Sequence, residues 1–200
     1  ISLKMADAGR DDIAKAISTG YGRKNVTYAA DTKTEIGCHA SGCYLYFPQE
    51  ITVIDIGGQD NKVIKLDAQG NRVSFKMNRK CAAGTGEFIV QQFQRMGLSL
   101  DQGLAEARTG NLVQMATRCS VHCKSDATHK LNKGECRPGD IARSLVNDLA
   151  LKVSELVELA QWSTASIVLC GGVSRNELFV EHLRNFLADS EVIILPESPY

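Results

Sequence analysis

The chain has 200 residues, 44% of them apolar and 23% charged, with 23 lysines and arginines against 23 aspartates and glutamates. A composition of this kind excludes wholesale disorder, and a chain of this length buries roughly 70% of its unfolded surface on folding. Zero formal net charge gives nucleic acid no electrostatic hold, and no run approaches the ~20 apolar residues of a membrane helix, so neither partner is expected.

In chain order, Ile13 and Ile17 stand four apart and predict a helix over 11–18, broken by Thr19-Gly20-Tyr21-Gly22. A second helix is expected from Thr34 to Tyr46, ended by Phe47-Pro48. Thr52–Ile56 reads as a strand, Gly57-Gly58-Gln59-Asp60 as a tight turn, and Lys62–Leu66 as the returning strand. The turn Asp67–Asn71 leads to a third strand over Arg72–Lys76, and connections this short make the meander antiparallel. Helices follow at 86–97, where Ile89, Phe93 and Met96 share a face, and at 100–108. The clearest helix runs from Asp140, its expected N-cap, to Trp162, with Ile141, Leu145, Leu149 and Val153 at helical spacing. A buried strand at 166–170 enters Gly171-Gly172, a helix carries Leu178, Phe179, Leu183 and Phe186, and Val192–Leu195 is the last strand. The expected class is α/β, a mixed sheet with helices on its faces.

Neither G-x-x-x-x-G-K-[ST] nor G-x-G-x-x-G occurs, so the two standard phosphate fingerprints are lacking. Three other glycine-bearing turns take their place. In Asp55-Ile56-Gly57-Gly58-Gln59-Asp60 the glycines allow backbone N–H groups close to a phosphate, the carboxylates suit hydrated magnesium, and Gln59 can orient an attacking water. An ordinary tight turn explains the same residues. The second, Cys81-Ala82-Ala83-Gly84-Thr85-Gly86-Glu87, stands where a loop meets a helix N-terminus, which offers free N–H groups and a positive dipole end. Glu87 there either accepts from ribose hydroxyls or only complements the dipole. The third, Gly171-Gly172-Val173-Ser174-Arg175-Asn176, again joins strand to helix. Together the three point to a nucleotide cleft.

Seven cysteines, an odd number with no export signal, read as cytoplasmic thiols or metal ligands rather than a disulfide framework. Cys170, inside the apolar run 166–170, is expected to be a small buried hydrophobe. Cys119, Cys123 and Cys136 lie near His122 and His129, but their spacing fits a zinc site poorly. Cys81 follows Lys80 and Cys119 follows Arg118, neighbours that favour thiolate. Two thiolates are too few for a four-cysteine iron–sulfur cluster unless a twofold dimer supplies two from each copy, and buried or free thiols remain the alternative.

The strings Thr19-Gly20-Tyr21-Gly22-Arg23, Cys38-His39-Ala40, Asp55–Asp60, Cys81–Gly86, Cys119-Ser120-Val121 and Gly171-Gly172-Val173 occur in one order. That set resembles the ATPase family of 2-hydroxyacyl-CoA dehydratase activators and benzoyl-CoA reductase ATP-binding subunits, from about residue 15 to the end. The resemblance implies an actin-like (ribonuclease H-like) ATPase fold of two lobes closing over ATP, with residues 1–48 as the remainder of one lobe and 49–200 as the second. It implies an oxygen-sensitive homodimer holding one [4Fe-4S] cluster through Cys81 and Cys119. ATP hydrolysis with Mg2+ would then send one low-potential electron, received from a donor such as ferredoxin or flavodoxin, to a partner dehydratase or reductase. Asp55, Gly57, Gly58, Gln59 and Asp60 would form a phosphate loop, with Asp55, Gln59 and Asp60 as its catalytic side chains. Gly84, Thr85, Gly86, Glu87, Gly171, Gly172, Val173 and Asn176 would line the nucleotide.

The family's first phosphate loop and closing helix are not represented, and the chain opens at Ile1, so a piece of a longer protein is expected, which alone would bind nucleotide weakly or not at all. His122-Cys123 departs from the family pattern, and its role as alternative ligand, solvent gate or bystander stays open. Two further readings stand beside this one: a small-molecule kinase of the same superfamily with Asp55 as base, and a non-catalytic docking or dimerisation domain.

Overall fold

The computed structural model describes residues 13–78, 82–160 and 166–195. Its centre is a five-stranded sheet built from β3 (Ile51–Ile56), β4 (Asn61–Leu66), β5 (Arg72–Asn78), β6 (Ser166–Cys170) and β7 (Glu191–Ile194), in the order β5-β4-β3-β6-β7. A separate pair, β1 (Ile17–Ser18) and β2 (Asp31–Thr32), precedes it. The helices are α1 (Glu35–Tyr46), α2 (Gly86–Arg95), α3 (Leu100–Thr109), α4 (Ser120–Asn132), α5 (Pro138–Leu159) and α6 (Glu177–Phe186). β3 to β5 form the expected antiparallel meander, whereas β3, β6 and β7 run parallel. The sheet is therefore mixed.

β3 is buried along its whole length because helices cover both of its faces. Ile54, Ile56, Ile167 and Leu169 point to α5, which also packs on α3 and α6. Val53, Val168, Ile51 and Ile64 point to the other face, where α1 lays down Ile36, Ala40 and Cys43. Because side chains alternate along a strand, Asp55 and Cys170, two residues beyond Val53 and Val168, emerge on the α1 face. They are direct neighbours in the parallel pairing.

Two expectations are corrected, and one helix is added. In place of the helix over 11–18, the described part holds β1, with Ala30 N–H donating to Ala16 and Lys33 N–H to Ser18. Ile13 and Ile17 have helical spacing but are 38% and 50% exposed, so no core rewards a helix there. The N-cap of α5 is Arg137 rather than Asp140. Pro138 takes the first helical position, and Asp140 reaches back from the first turn to accept the Arg137 N–H at 2.8 Å. Finally, α4 went unpredicted. Its inward face is Cys123, Ala127 and Leu131, small or weakly apolar residues among charged ones, which leave little periodic signal. Trp162, the expected end of α5, lies outside the described residues.

Candidate functional site

The three glycine turns meet. Gly171 has φ of +87°, and a Cβ there would stand 2.4 Å from the Ile56 carbonyl oxygen and 2.6 Å from Asp55 Oδ1. A Cβ on Gly86 would stand 2.7 Å from Val173 Cγ2 and 3.3 Å from the Gly57 carbonyl oxygen. Only residues without side chains permit backbones this close. The contacts join the ends of β3, β6 and the loop before α2 into one ridge beside a cleft of about 900 Å3. Asp55, Gly57, Gly58, Gln59, Asp60, Gly171 and Gly172 line this cleft.

The turn before α2 stands behind the ridge. Gly86 N–H donates to Gly57 at 3.2 Å and Glu87 N–H to Gly58 at 3.0 Å. Those two donors, expected to face a nucleotide, are engaged in bracing the Gly57-Gly58 backbone. The Glu87 carboxylate accepts from Gln91 on its own helix at 3.1 Å. Gly84 accepts from the buried Asn61 amide through its carbonyl, and Thr85 is buried at the α2 N-cap. Val173 packs on the core beside Gly86. Asn176 caps α6, its side chain accepting from Phe179 N–H at 3.1 Å. None of these six side chains or glycines is among the residues lining the cleft.

Inside the cleft the structure assembles an ionic cluster that periodicity did not reveal. Lys62, only 3% exposed, donates to Asp60 at 2.6 Å, Glu35 at 3.0 Å and Asp55 at 3.1 Å. Burial opposes its charge, but the carboxylates of Asp60, Asp55 and Glu35 overcome that and hold the ammonium above the ordinary lysine range. His39 on α1 places Nε2 3.4 Å from Asp55 Oδ2 and 3.7 Å from Glu35. The available signal was Lys62 on the same face of its strand as the apolar Ile64 and Leu66.

The cysteines divide. Cys119 sits at the N-cap of α4, where the backbone N–H groups of His122 and then Val121 hold its thiol below the ordinary range. Cys123 is 1% exposed and belongs to the core. Cys81 lies outside the described residues. Cys170 is buried as expected, but it borders the cleft and meets Cys43. The Cys43 contact and burial together push the Cys170 thiol far up. Lys152 of α5, another residue missed in the sequence, donates to the Thr117 carbonyl at 2.7 Å and the Ala83 carbonyl at 3.4 Å. It thereby links the chain just before Cys119 to the turn just after Cys81.

Residues 2–200 match the BadF/BadG/BcrA/BcrD ATPase family. The chain belongs to that family. It is 35% identical over 191 residues to the 2-hydroxyisocaproyl-CoA dehydratase activator of Clostridioides difficile, covering 95% of this chain and 70% of that protein. With the activator of lactoyl-CoA dehydratase of Anaerotignum propionicum it shares 34% identity over 197 residues, 98% of this chain and 74% of the relative. The solved activator of the 2-hydroxyisocaproyl-CoA dehydratase from Clostridium difficile, with bound ADPNP, matches at a TM-score of 0.85 and 34% identity, covering 96% of this chain and 70% of that one. The fold is that of the actin-like ATPases, as the sequence resemblance implies.

The residues present fit the groups this family implies. Glycine turns that a Cβ would block leave the Gly57-Gly58 backbone bare toward the cleft, and carboxylates flank it as magnesium requires. Cys119, with its thiol eased toward thiolate, suits an iron ligand. Among the described residues, no helix is long and apolar enough to cross a membrane.

Proposed function

We propose that the chain is an ATP-driven reductive activator. It binds and hydrolyses Mg-ATP in the cleft at Asp55–Asp60, and it delivers one low-potential electron to a 2-hydroxyacyl-CoA dehydratase or a benzoyl-CoA reductase-like partner. The observation that carries this reading is the meeting of three glycine turns in one ridge, two of them lining the cleft, in a chain about one-third identical to named dehydratase activators.

Each residue has a role in this reading. Gly58 brings its backbone amide to the phosphates, on a turn closed by Gly57 N–H donating to the Asp60 carbonyl at 3.0 Å and braced from behind by the hydrogen bonds from Gly86 and Glu87. Asp55 and Asp60, fixed by Lys62, hold hydrated Mg2+, which would screen the phosphate charge. Gln59, exposed at the cleft, orients the attacking water. The turn from Gly171 to Asn176 borders the adenosine side. Cys119 and Cys81 of two copies hold a [4Fe-4S] cluster, whose chemistry is one-electron reduction fed by a ferredoxin- or flavodoxin-type donor. Lys152 keeps the two cysteine-bearing segments in register on each copy.

The test mixes the oxygen-free, iron- and sulfide-loaded protein with a purified 2-hydroxyacyl-CoA dehydratase, its substrate and a strong reductant. Dehydration is expected with ATP and not with ADP. Gln59→Ala is expected to lower ATP hydrolysis by about 10²-fold while nucleotide binding persists. ATP-dependent phosphorylation of a small molecule by an iron-free protein would overturn the reading in favour of a kinase.

A further inference from the structure

We propose that His39, Asp55 and Cys170 form a second metal site on the floor of the cleft, one suited to a borderline divalent ion such as Zn2+ or Co2+ and unsuited to Mg2+. These side chains come from three different elements: α1, the end of β3 and the end of β6. Their ligand atoms all lie within 4.8 Å of one another, and among the described residues no other three histidine, cysteine or acidic side chains converge this way. Ligands on a tetrahedral ion at about 2.0–2.3 Å stand roughly 3.3–3.8 Å apart. His39 Nε2 and Asp55 Oδ2 already meet that at 3.4 Å, and closure draws in the Cys170 sulfur from within the 4.8 Å that bounds the group.

The donor set decides the class of ion. One imidazole nitrogen, one carboxylate oxygen and one sulfur match zinc-type ions, whereas magnesium keeps an all-oxygen shell. Charge agrees. Asp55, Asp60 and Glu35 surround the lone ammonium of Lys62, which leaves an excess of two negative charges in the cluster (three minus one). Lys62 keeps Asp60 and Glu35 when Asp55 turns to a metal, so the ion does not strand the lysine. All three ligands line the cleft, so the fourth coordination position opens to solvent and exchanges with water or a phosphate oxygen. On binding, the Cys170 S–H bond breaks, a sulfur–metal bond forms and the proton leaves to water, with no change of oxidation state. Because Asp55 is shared, a zinc-type ion here excludes the arrangement that serves Mg-ATP and inhibits hydrolysis.

The test needs no nucleotide, so its failure is separable from failure of the ATPase reading. The reduced, metal-free protein carrying Cys81→Ser and Cys119→Ser is titrated with Co2+. Expected is one ion per chain, with a sulfur-to-cobalt charge-transfer band and visible bands of tetrahedral intensity, all abolished by Zn2+. Adding Cys170→Ala removes the charge-transfer band. Adding His39→Gln keeps that band but weakens cobalt binding by more than about tenfold, the least that loss of even an outer-shell partner costs. His39 is one-third exposed, so its replacement tests the site even if Cys170→Ala does not fold. No thiolate band in the starting protein, a band that survives Cys170→Ala, or full affinity in His39→Gln would each overturn the assignment.

Discussion

At the cleft, the Asp55–Asp60 turn is carried by β3 and β4, whose residues are almost all buried, and it is clasped by neighbouring backbones. At the cysteine end, residues 110–116 have no regular structure and are held one N–H group at a time. Asn111 N–H reaches Asp140 at 2.7 Å, Val113 N–H reaches Ser144 at 2.9 Å, and Ala116 N–H reaches Asp126 at 2.9 Å. Each region also has its own lysine: Lys62 among three carboxylates, Lys152 between Asp148 and two carbonyls. The cleft is shaped by apolar burial and fixed by charge, while the cysteine end rests on a handful of polar contacts and the partial packing of Val113 and Met115. The second region should therefore yield first and locally, the first only with the whole fold.

Lys62→Met gives the largest effect. It leaves Asp55 buried without its cation and is expected to cost about 3–5 kcal/mol in urea unfolding, because a stranded buried charge is the expensive outcome. Next comes a pair of alanine substitutions at two positive-φ glycines. Gly171→Ala meets Ile56 O and Asp55 Oδ1 and is expected to cost about 1–3 kcal/mol and to weaken nucleotide binding. Gly20→Ala, at φ of +83° with nothing within 4 Å, meets only the backbone penalty of about 1 kcal/mol. Equal costs would show that crowding at Gly171 is not what shapes the ridge. Lys152→Met is expected to cost about 1–2 kcal/mol. It should speed amide exchange over 110–119 far more than over 51–66, and uniform acceleration would break the contrast between the regions.

Asp140 gives the smallest effect and a pH signature. The N–H groups of Asn111 and then Arg137 lower its carboxyl to about 2 from the ordinary 3.8. A lowered folded pKa contributes stability that is complete above the unfolded value and fades as pH falls through the folded one. The loss therefore spans about pH 4 to 2. Asp140→Asn is expected to cost about 1 kcal/mol at neutral pH and to flatten that acid arm in a series of unfolding curves.

The contrast also explains what could be read from sequence. The meander, α5 and β6 are visible because their apolar residues recur with the period of the element they form. The three glycine turns are visible as residue strings, yet which side of the ridge each occupies is not. Gly86 and Glu87 look like ligand-facing donors until the structure shows their N–H groups on Gly57 and Gly58. Lys62 faces Asp55 across the β3–β4 hairpin, a pairing the short turn implies, whereas His39 comes from α1 and no spacing in the chain encodes its meeting with Asp55. α4 is hidden because Cys123 and Ala127 carry its buried face. Its N-cap, Cys119, is singled out in the sequence by Arg118 before it and the Ser120-Val121 string after it, not by the helix it opens.

The measurement that tests the central claim most directly is iron and sulfide content, with mass in solution, after oxygen-free purification of the wild type and its Cys81→Ser and Cys119→Ser variants. The account predicts about four irons per dimer, the content of one four-cysteine cubane, lost in either variant while the ATP cleft still binds nucleotide. An iron-free wild type, or iron that survives both substitutions, would contradict it.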